Sequence, residues 1–154
     1  MPNTYTQVYI QFVFAVQNRM SLINPEWENE LYMYITGIVQ NHKQKMIAIN
    51  GIEDHVHIFV GMNNTTQSLA SLMQIVKGES SEWINMRRFV KGKFSWQESY
   101  GAFSYGRNQV KQIYDYVMNQ KEHHKHESFV DEYVRLLEEF DIRYDARYIF
   151  KPIE

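Results

Sequence analysis

Apolar residues alternate with other residues near the start of the chain, which is the pattern of a β-strand. The alternating residues on one side are Val8, Ile10, Phe12, Phe14 and Val16. Because successive side chains of a strand point to opposite faces, this strand has one apolar face and one mixed face. Apolar runs at residues 46–49 and 55–60 predict two more strands, and an aromatic-rich stretch predicts a fourth around residues 102–105.

Between and after these strands, apolar residues recur every three or four positions, which predicts helices. The first helix begins at residues 24–26, Asn-Pro-Glu, which supply a cap, a first-turn proline and an acid suited to the helix dipole. A second helix is expected to be capped by Thr65 or Thr66. Two further helices are predicted at about residues 107–123 and 128–140.

The order β-α-β-β-α-β, followed by extra C-terminal helices, predicts an α+β fold. We expect a ferredoxin-like (RRM-like) antiparallel sheet with helices on one face. One domain should span residues 1–154, with the core sheet and its helices at about residues 4–106. No apolar run approaches the roughly 20 residues of a membrane span. The N-terminus lacks the basic-then-apolar pattern of a signal peptide, so a cytoplasmic protein is expected.

Composition restricts the chemistry of any bound metal. The chain contains no cysteine, so a metal must take nitrogen and oxygen ligands. The net charge of -2 is spread unevenly, because residues 127–154 carry eight acids and four bases. The remaining residues, 1–126, carry twelve bases and ten acids. Since electrostatic steering is local, this larger part can still attract phosphates, and the charge neither favours nor excludes a nucleic-acid partner.

Two histidines stand two positions apart on the third strand. His55 and His57 therefore present their imidazoles on one face, while Val56, Ile58 and Val60 form the opposite, apolar face. The apolar residues fix both rings on a rigid element. His-x-His is a common sequence, however, and the alternative is a pair of histidines on a solvated sheet face.

A tyrosine and a glutamine stand four positions apart on the third helix. Tyr116 and Gln120 therefore share a face, one turn from each other. The core stripe of this helix is Val110, Ile113 and Val117. We place Tyr114 on the core side as a structural residue. Tyr116 is placed at the edge of the buried face, where its phenol is accessible. The alternative for Tyr116 is a tyrosine that only covers apolar surface.

These four residues suit a metal-dependent attack on a phosphodiester. Two imidazoles and an amide oxygen can hold a divalent ion that polarises phosphorus and neutralises developing charge. Imidazole suits Mn²⁺, whereas Mg²⁺ prefers oxygen ligands, and both are candidates. The phenol of Tyr116 must lose its proton to attack. A phosphotyrosine link would conserve the energy of the phosphodiester, so cleavage could be reversed as strand joining.

Several segments carry a family resemblance. Residues 54–61, Asp-His-Val-His-Ile-Phe-Val-Gly, resemble the His-hydrophobic-His (HUH) motif of the small single-tyrosine transposases of bacterial insertion sequences. The catalytic helix of these enzymes, and the segment that leads into it, are similar to three further segments here, at residues 100–104, 116–120 and 123–124. The opening segment, residues 5–16, is also similar to theirs. The similarity spans nearly the whole chain, with the motifs in the family's order and spacing.

The resemblance implies a role for each site residue. His55 and His57 would bind the metal, Gln120 would be the third ligand, and Tyr116 would be the nucleophile on the extra C-terminal helices. The family cleaves and rejoins single-stranded DNA through a 5′-phosphotyrosine intermediate, releases a 3′-hydroxyl and recognises imperfect hairpins near the element's ends. It works as a homodimer in which the tyrosine helix of one subunit can complete the histidine site of the other. We therefore expect a DNA transposase that uses Mg²⁺ or Mn²⁺.

Other charged and aromatic residues have less specific patterns. Candidate DNA contacts, with Phe89 and Phe94 interleaved for base stacking, are Lys77, Arg87, Arg88, Lys91 and Lys93. A solvated charged loop explains them equally well. The histidines at positions 123, 124 and 126 lie near a helix end that suits cationic side chains, so we assign them surface or structural roles. The apolar stripe of the last helix is expected to be core, with dimerisation as the alternative.

Three rival functions remain at this point. A domesticated or replication-type nicking enzyme would have the same site without a mobile element. A non-catalytic nucleic-acid-binding module predicts base-stacking aromatics on the sheet, where this sequence has His55 and His57. A metal-dependent hydrolase that uses water would make Tyr116 incidental.

Overall fold

The computed structural model describes residues 5–145 and 149. Its strands are β1 (Tyr9–Ala15), β2 (Lys45–Ile52), β3 (His55–Gly61) and β4 (Gly101–Tyr105). Its helices are α1 (Pro25–Asn41), α2 (Leu69–Arg87), α3 (Val110–Met118), α4 (Gln120–His123) and α5 (Phe129–Glu139). Within this described part, no helix has the length and apolar character needed to cross a membrane. The two ends of the predicted domain, 1–154, lie outside the described residues.

The four strands form one antiparallel sheet in the order β2-β3-β1-β4. This order confirms the predicted ferredoxin-like fold, with β3 and β1 as the two central strands. In the register between them, Val13 lies opposite His57 and Ala15 opposite His55. A Cβ at Gly51 would collide with the backbone of His55, so the close turn between β2 and β3 requires glycine there.

One face of the sheet packs against α1 and α2, as the alternating pattern predicts. The buried residues of this core include Phe12, Phe14, Ile58, Val60, Leu31, Ile35, Leu72 and Val76. At the start of α1, the side chain of Asn24 accepts a hydrogen bond from the backbone N–H of Glu26 at 2.8 Å, which confirms the predicted cap. The predicted cap of α2 is wrong: Ser68, rather than Thr65 or Thr66, accepts the bond at the start of that helix.

The C-terminal helices cover the other face of the sheet. Phe59 packs with Ile113 and Val117 of α3. Val13, Ala15 and Phe103 pack with apolar residues of α5, namely Phe129, Tyr133, Leu136 and Leu137. The stripe of α5 is therefore core, as predicted. Because this face is covered, the histidines of β3 lie in the interior rather than on a solvated surface.

The tyrosine-bearing segment differs from the predicted continuous helix. A 3₁₀ turn at Arg107–Gln109 precedes α3, and Asn119, with φ -97° and ψ 15°, separates α3 from α4. The prediction that Tyr114 is a core residue is wrong, because its side chain is 41% exposed. The buried stripe is centred on Ile113 and Val117, and Tyr116 lies three residues after the former and one before the latter. Tyr114 flanks the same stripe on its other side, and the rotation of α3 on the sheet leaves Tyr116 half-buried and turns Tyr114 outward.

Candidate active site

Three imidazoles surround one carboxylate oxygen beneath the C-terminal helices. Oε1 of Glu132 lies 3.1 Å from Nε2 of His57, 3.0 Å from Nε2 of His124 and 3.6 Å from Nε2 of His55. The side chains of His55, His57 and Glu132 are fully buried, and that of His124 is 4% exposed. A buried carboxylate is stable only with such partners. We refer to these four residues as the histidine–carboxylate cluster.

A further polar side chain holds each β3 histidine from behind. Nδ1 of His55 lies 2.7 Å from Oδ1 of Asp54, and Nδ1 of His57 lies 2.7 Å from Oε1 of Gln11. The amide of Gln11 is itself fixed, because its Nε2 donates to the hydroxyl of Tyr105 at 2.9 Å. An oxygen acceptor favours a proton on Nδ1, which leaves Nε2 of each ring as the atom that can bind a metal.

Tyr116 is connected to the cluster through Glu132. The phenol of Tyr116 donates a hydrogen bond to Oε2 of Glu132, and Nη2 of Arg135 donates to the same phenol oxygen at 3.2 Å. Burial raises the pKa of Tyr116, the charge of Glu132 raises it further, and Arg135 partly opposes both. The phenol is therefore protonated at neutral pH, and Glu132 is in place to accept its proton.

The ionisation of the cluster follows from burial and mutual charge. Burial alone would raise the pKa of Glu132, but the adjacent imidazoles of His57, His124 and His55 hold that pKa well below its usual range. Burial lowers the pKa of His57 to about 4, despite the opposing charge of Glu132. Glu132 is thus ionised, and the cluster offers carboxylate oxygen beside imidazole nitrogen.

Gln120 also lies within this group. Its Oε1 is 2.8 Å from Nε2 of His124 and 3.4 Å from Nε2 of His55, and its Nε2 donates to Oε2 of Glu132 at 3.1 Å. The fold therefore brings together all four residues singled out in the sequence, His55, His57, Tyr116 and Gln120. Their roles in catalysis and metal binding stay predictions.

Sequence reasoning missed or misassigned several members of this site. His124 was assigned a surface or structural role, but it belongs to the buried cluster, whereas the side chain of His126 is 79% exposed. Glu132 and Arg135 were not singled out. One signal for Glu132 was available: it stands three residues after Phe129 and four before Leu136, so an acid interrupts the apolar stripe of α5. The pairing of this acid with the histidines depends on the tertiary fold.

The predicted DNA-contact residues lie around α2, on the other side of the sheet. Lys77 donates to the backbone oxygen of Glu98 at 2.9 Å, and Arg87 pairs with Glu30 at 3.1 Å. Arg88 adopts the left-handed conformation that ends α2. The remaining two basic residues, Lys91 and Lys93, are exposed. DNA contact by these five residues stays a prediction.

The proposed base-stacking residues of that segment are already engaged in the fold. Phe94 is fully buried, so its suggested role in stacking is wrong. Phe89 stacks on Trp27 with ring centroids 4.9 Å apart. The aromatic residues therefore hold the segment after α2 against α1.

Fold and site together define an α+β protein with a buried histidine–carboxylate cluster beside a tyrosine. Residues 4–120 match the family described as IS200-like transposases, and the chain belongs to this family of DNA transposases. The resemblance noted in the sequence is confirmed.

Two solved structures show the same fold. One is a protein described as a transposase from Deinococcus radiodurans R1, with a TM-score of 0.62 and 18% identity over 78% of this chain and 95% of that one. The other is a REP-associated tyrosine transposase bound to a REP hairpin, with a TM-score of 0.61 and 14% identity over 100% of this chain and 96% of that one. No curated protein matches the chain.

Proposed function

We propose that this transposase cleaves and rejoins single-stranded DNA at hairpin-bearing element ends, through a 5′-phosphotyrosine intermediate on Tyr116. The observation that carries the proposal is the carboxylate of Glu132, which contacts the phenol of Tyr116 through one oxygen and the imidazoles through the other. Nucleophile and prospective metal ligands are thus adjacent. The REP-associated relative was solved with a DNA hairpin, which supports a hairpin partner.

The donor set of the cluster fits a divalent ion. His55 and His57 would hold Mg²⁺ or Mn²⁺ together with Gln120, and the position of His124 and Glu132 makes them additional donors. The abundance of imidazole favours Mn²⁺ among these two ions. When bound, the ion would polarise the phosphate and offset the negative charge that develops during the reaction.

Three side chains of this protein account for the formation of the phosphotyrosine bond. The phenol oxygen of Tyr116 attacks phosphorus, and as the new O–P bond makes the phenol acidic its proton passes to Glu132, to which it already donates a hydrogen bond. The tyrosine O–P bond forms while the bond from phosphorus to the 3′-oxygen breaks, and that oxygen takes a proton from solvent. Arg135, next to the phenol oxygen, favours the phenolate by its charge. The reverse sequence joins strands.

A covalent adduct tests the proposal directly. Incubation of the wild-type protein with hairpin-bearing single-stranded DNA and Mn²⁺ should yield a denaturant-resistant adduct, and EDTA should abolish it. Mass spectrometry should map the attached nucleotide to Tyr116. An adduct on another residue, or one unaffected by EDTA, would contradict the proposal.

The same assay separates the rival functions. A non-catalytic module would bind the hairpin without forming an adduct, and a hydrolase that activates water would cleave without one. An oligonucleotide of equal length without a hairpin is the control for substrate class. A domesticated nicking enzyme would form the adduct, and the absence of matching terminal hairpins around its gene would distinguish it from a mobile element.

The residue behind His57 offers a test of metal binding that is independent of activity. Gln11→Leu removes the acceptor on Nδ1 of His57, so we expect Mn²⁺ affinity, measured by calorimetry, to fall about 10- to 100-fold. Gln74→Leu, at an exposed glutamine of α2, is the matched control and should leave the affinity unchanged. Unchanged affinity in Gln11→Leu would count against His57 as a ligand.

A further inference from the structure

A cavity of about 410 Å³ opens between α3 and α5, beside the phenol of Tyr116. Its lining includes Tyr105, Gln109, Gln112, Arg135, Glu139 and Phe140. Tyr116 belongs both to this lining and to the surroundings of the histidine–carboxylate cluster. We propose that the cavity binds a nucleoside next to the scissile phosphate, an inference that rests on the proposed DNA cleavage by Tyr116.

The size and lining of the cavity suit a nucleoside. Its volume lies within the range of about 300–1,000 Å³ that is typical of small-molecule sites. The amides of Gln109 and Gln112 combine donors with acceptors, as the polar edge of a base does. The rings of Tyr105 and Phe140 stand 5.5 Å apart at 88° to each other, and aromatic walls of this kind can stack against a base.

The position of Arg135 connects the cavity with the reacting phosphate. Its Nη2 lies 3.2 Å from the phenol oxygen of Tyr116, while Glu127 and Glu139 accept hydrogen bonds from other nitrogens of the same guanidinium at 3.2 and 3.0 Å. The guanidinium is therefore held in place beside the nucleophile. A phosphate that meets Tyr116 would contact Arg135, and the sugar and base on one side of it would enter the cavity.

The charge of the lining argues against a free anion as the occupant. Glu139 lines the cavity together with Arg135 and accepts one of its hydrogen bonds, which offsets much of the positive charge. A neutral base that accepts and donates hydrogen bonds matches this lining better than inorganic phosphate does. The chemistry therefore favours a nucleoside over a second phosphate.

Abasic substitution tests this assignment. Once the cleavage position on a hairpin oligonucleotide is mapped, the base on each side of the scissile phosphate is removed in turn. For the wild type, loss of the base at one of these positions should slow adduct formation about tenfold, the magnitude of losing a stacked base. In Gln112→Trp, which fills the cavity from an exposed position, the intact oligonucleotide should react at this slower rate, and base removal should have no further effect.

Controls separate the possible failures. Gln112→Ala should lose part of the preference for the flanking base without blocking the cavity, and Gln74→Trp, on α2, should behave as the wild type. If base removal at both positions leaves the wild-type rate unchanged, or slows Gln112→Trp as much as the wild type, the cavity does not bind the nucleoside. If the wild type forms no adduct with the intact oligonucleotide, the proposed function itself is wrong, and the subsite is lost with it.

Discussion

Tyr116→Phe is expected to abolish covalent attachment to DNA, whereas Tyr114→Phe should form the adduct at the wild-type rate. Both tyrosines lie on α3, two residues apart, but only the phenol of Tyr116 contacts Glu132 and Arg135. Tyr114 is 41% exposed. Because phenylalanine lacks the oxygen that would attack phosphorus, the loss should be complete rather than partial. Denaturing gels with labelled hairpin DNA and Mn²⁺ measure the adduct.

The protein should remain folded in Tyr116→Phe, so a lost adduct can be attributed to the missing nucleophile rather than to unfolding. Removing the hydroxyl deletes hydrogen bonds of Tyr116 but leaves its ring packed, so we expect the free energy of unfolding to fall by about 1–3 kcal/mol. Urea unfolding measures this change, and hairpin binding should remain detectable in Tyr116→Phe. An adduct in Tyr116→Phe, or its loss in Tyr114→Phe, would contradict the assignment of the nucleophile.

The alternating pattern predicted the sheet because the period of a strand is short and strict. Ile10, Phe12 and Phe14 share a face by that period alone, and they lie in one core in the structure. The same rule places His55 and His57 side by side, with no information needed from the rest of the chain. The β3 half of the site could therefore be derived from two positions of one strand that are two residues apart.

The helical period of α3 did not determine which of its two tyrosines faces the core. A residue at the edge of a 3.6-residue stripe can turn inward or outward, according to how the helix is rotated on the sheet. Tyr114 and Tyr116 both flank the stripe of Ile113 and Val117. The prediction placed Tyr114 on the core side of the helix, whereas it faces solvent. Packing of α3 against Phe59 decides the rotation, and this contact is tertiary.

The carboxylate of the cluster could not be paired with its histidines from sequence. Glu132 lies 75 positions from His57, and their contact depends on how α5 crosses the sheet. The apolar stripe of α5 marks Glu132 as a buried acid, and a buried acid requires a partner. It does not identify that partner. A surface position for His124 is wrong for the same reason, since α5 covers it, and a structural role for it stays a prediction.

Contacts within one chain bear on the expectation that two subunits share their active sites. The side chain of Asn50 on β2 donates to the backbone oxygen of Met118 at 2.9 Å. Nζ of Lys121 donates to Asn50 at 3.0 Å and pairs with Glu28 at 2.8 Å. These bonds hold the segment around Tyr116 against β2 and α1 of its own chain. The family resemblance carried by the sequence leads to the opposite expectation, a homodimer in which the tyrosine helix can serve the other subunit.

We predict that the site is assembled within one chain, and that two inactive variants will not complement each other. Tyr116→Phe and His57→Ala, carrying different tags, are co-expressed and purified through both tags in turn, and adduct formation is then measured. Within one chain, every site in such a mixture lacks either its nucleophile or a histidine, so no adduct should form. Shared sites would give each mixed dimer one intact site out of two, and adduct at about half the wild-type level would overturn the prediction. If no doubly tagged species can be purified, the two variants are mixed with the hairpin DNA, and adduct formation in this mixture would overturn the prediction in the same way.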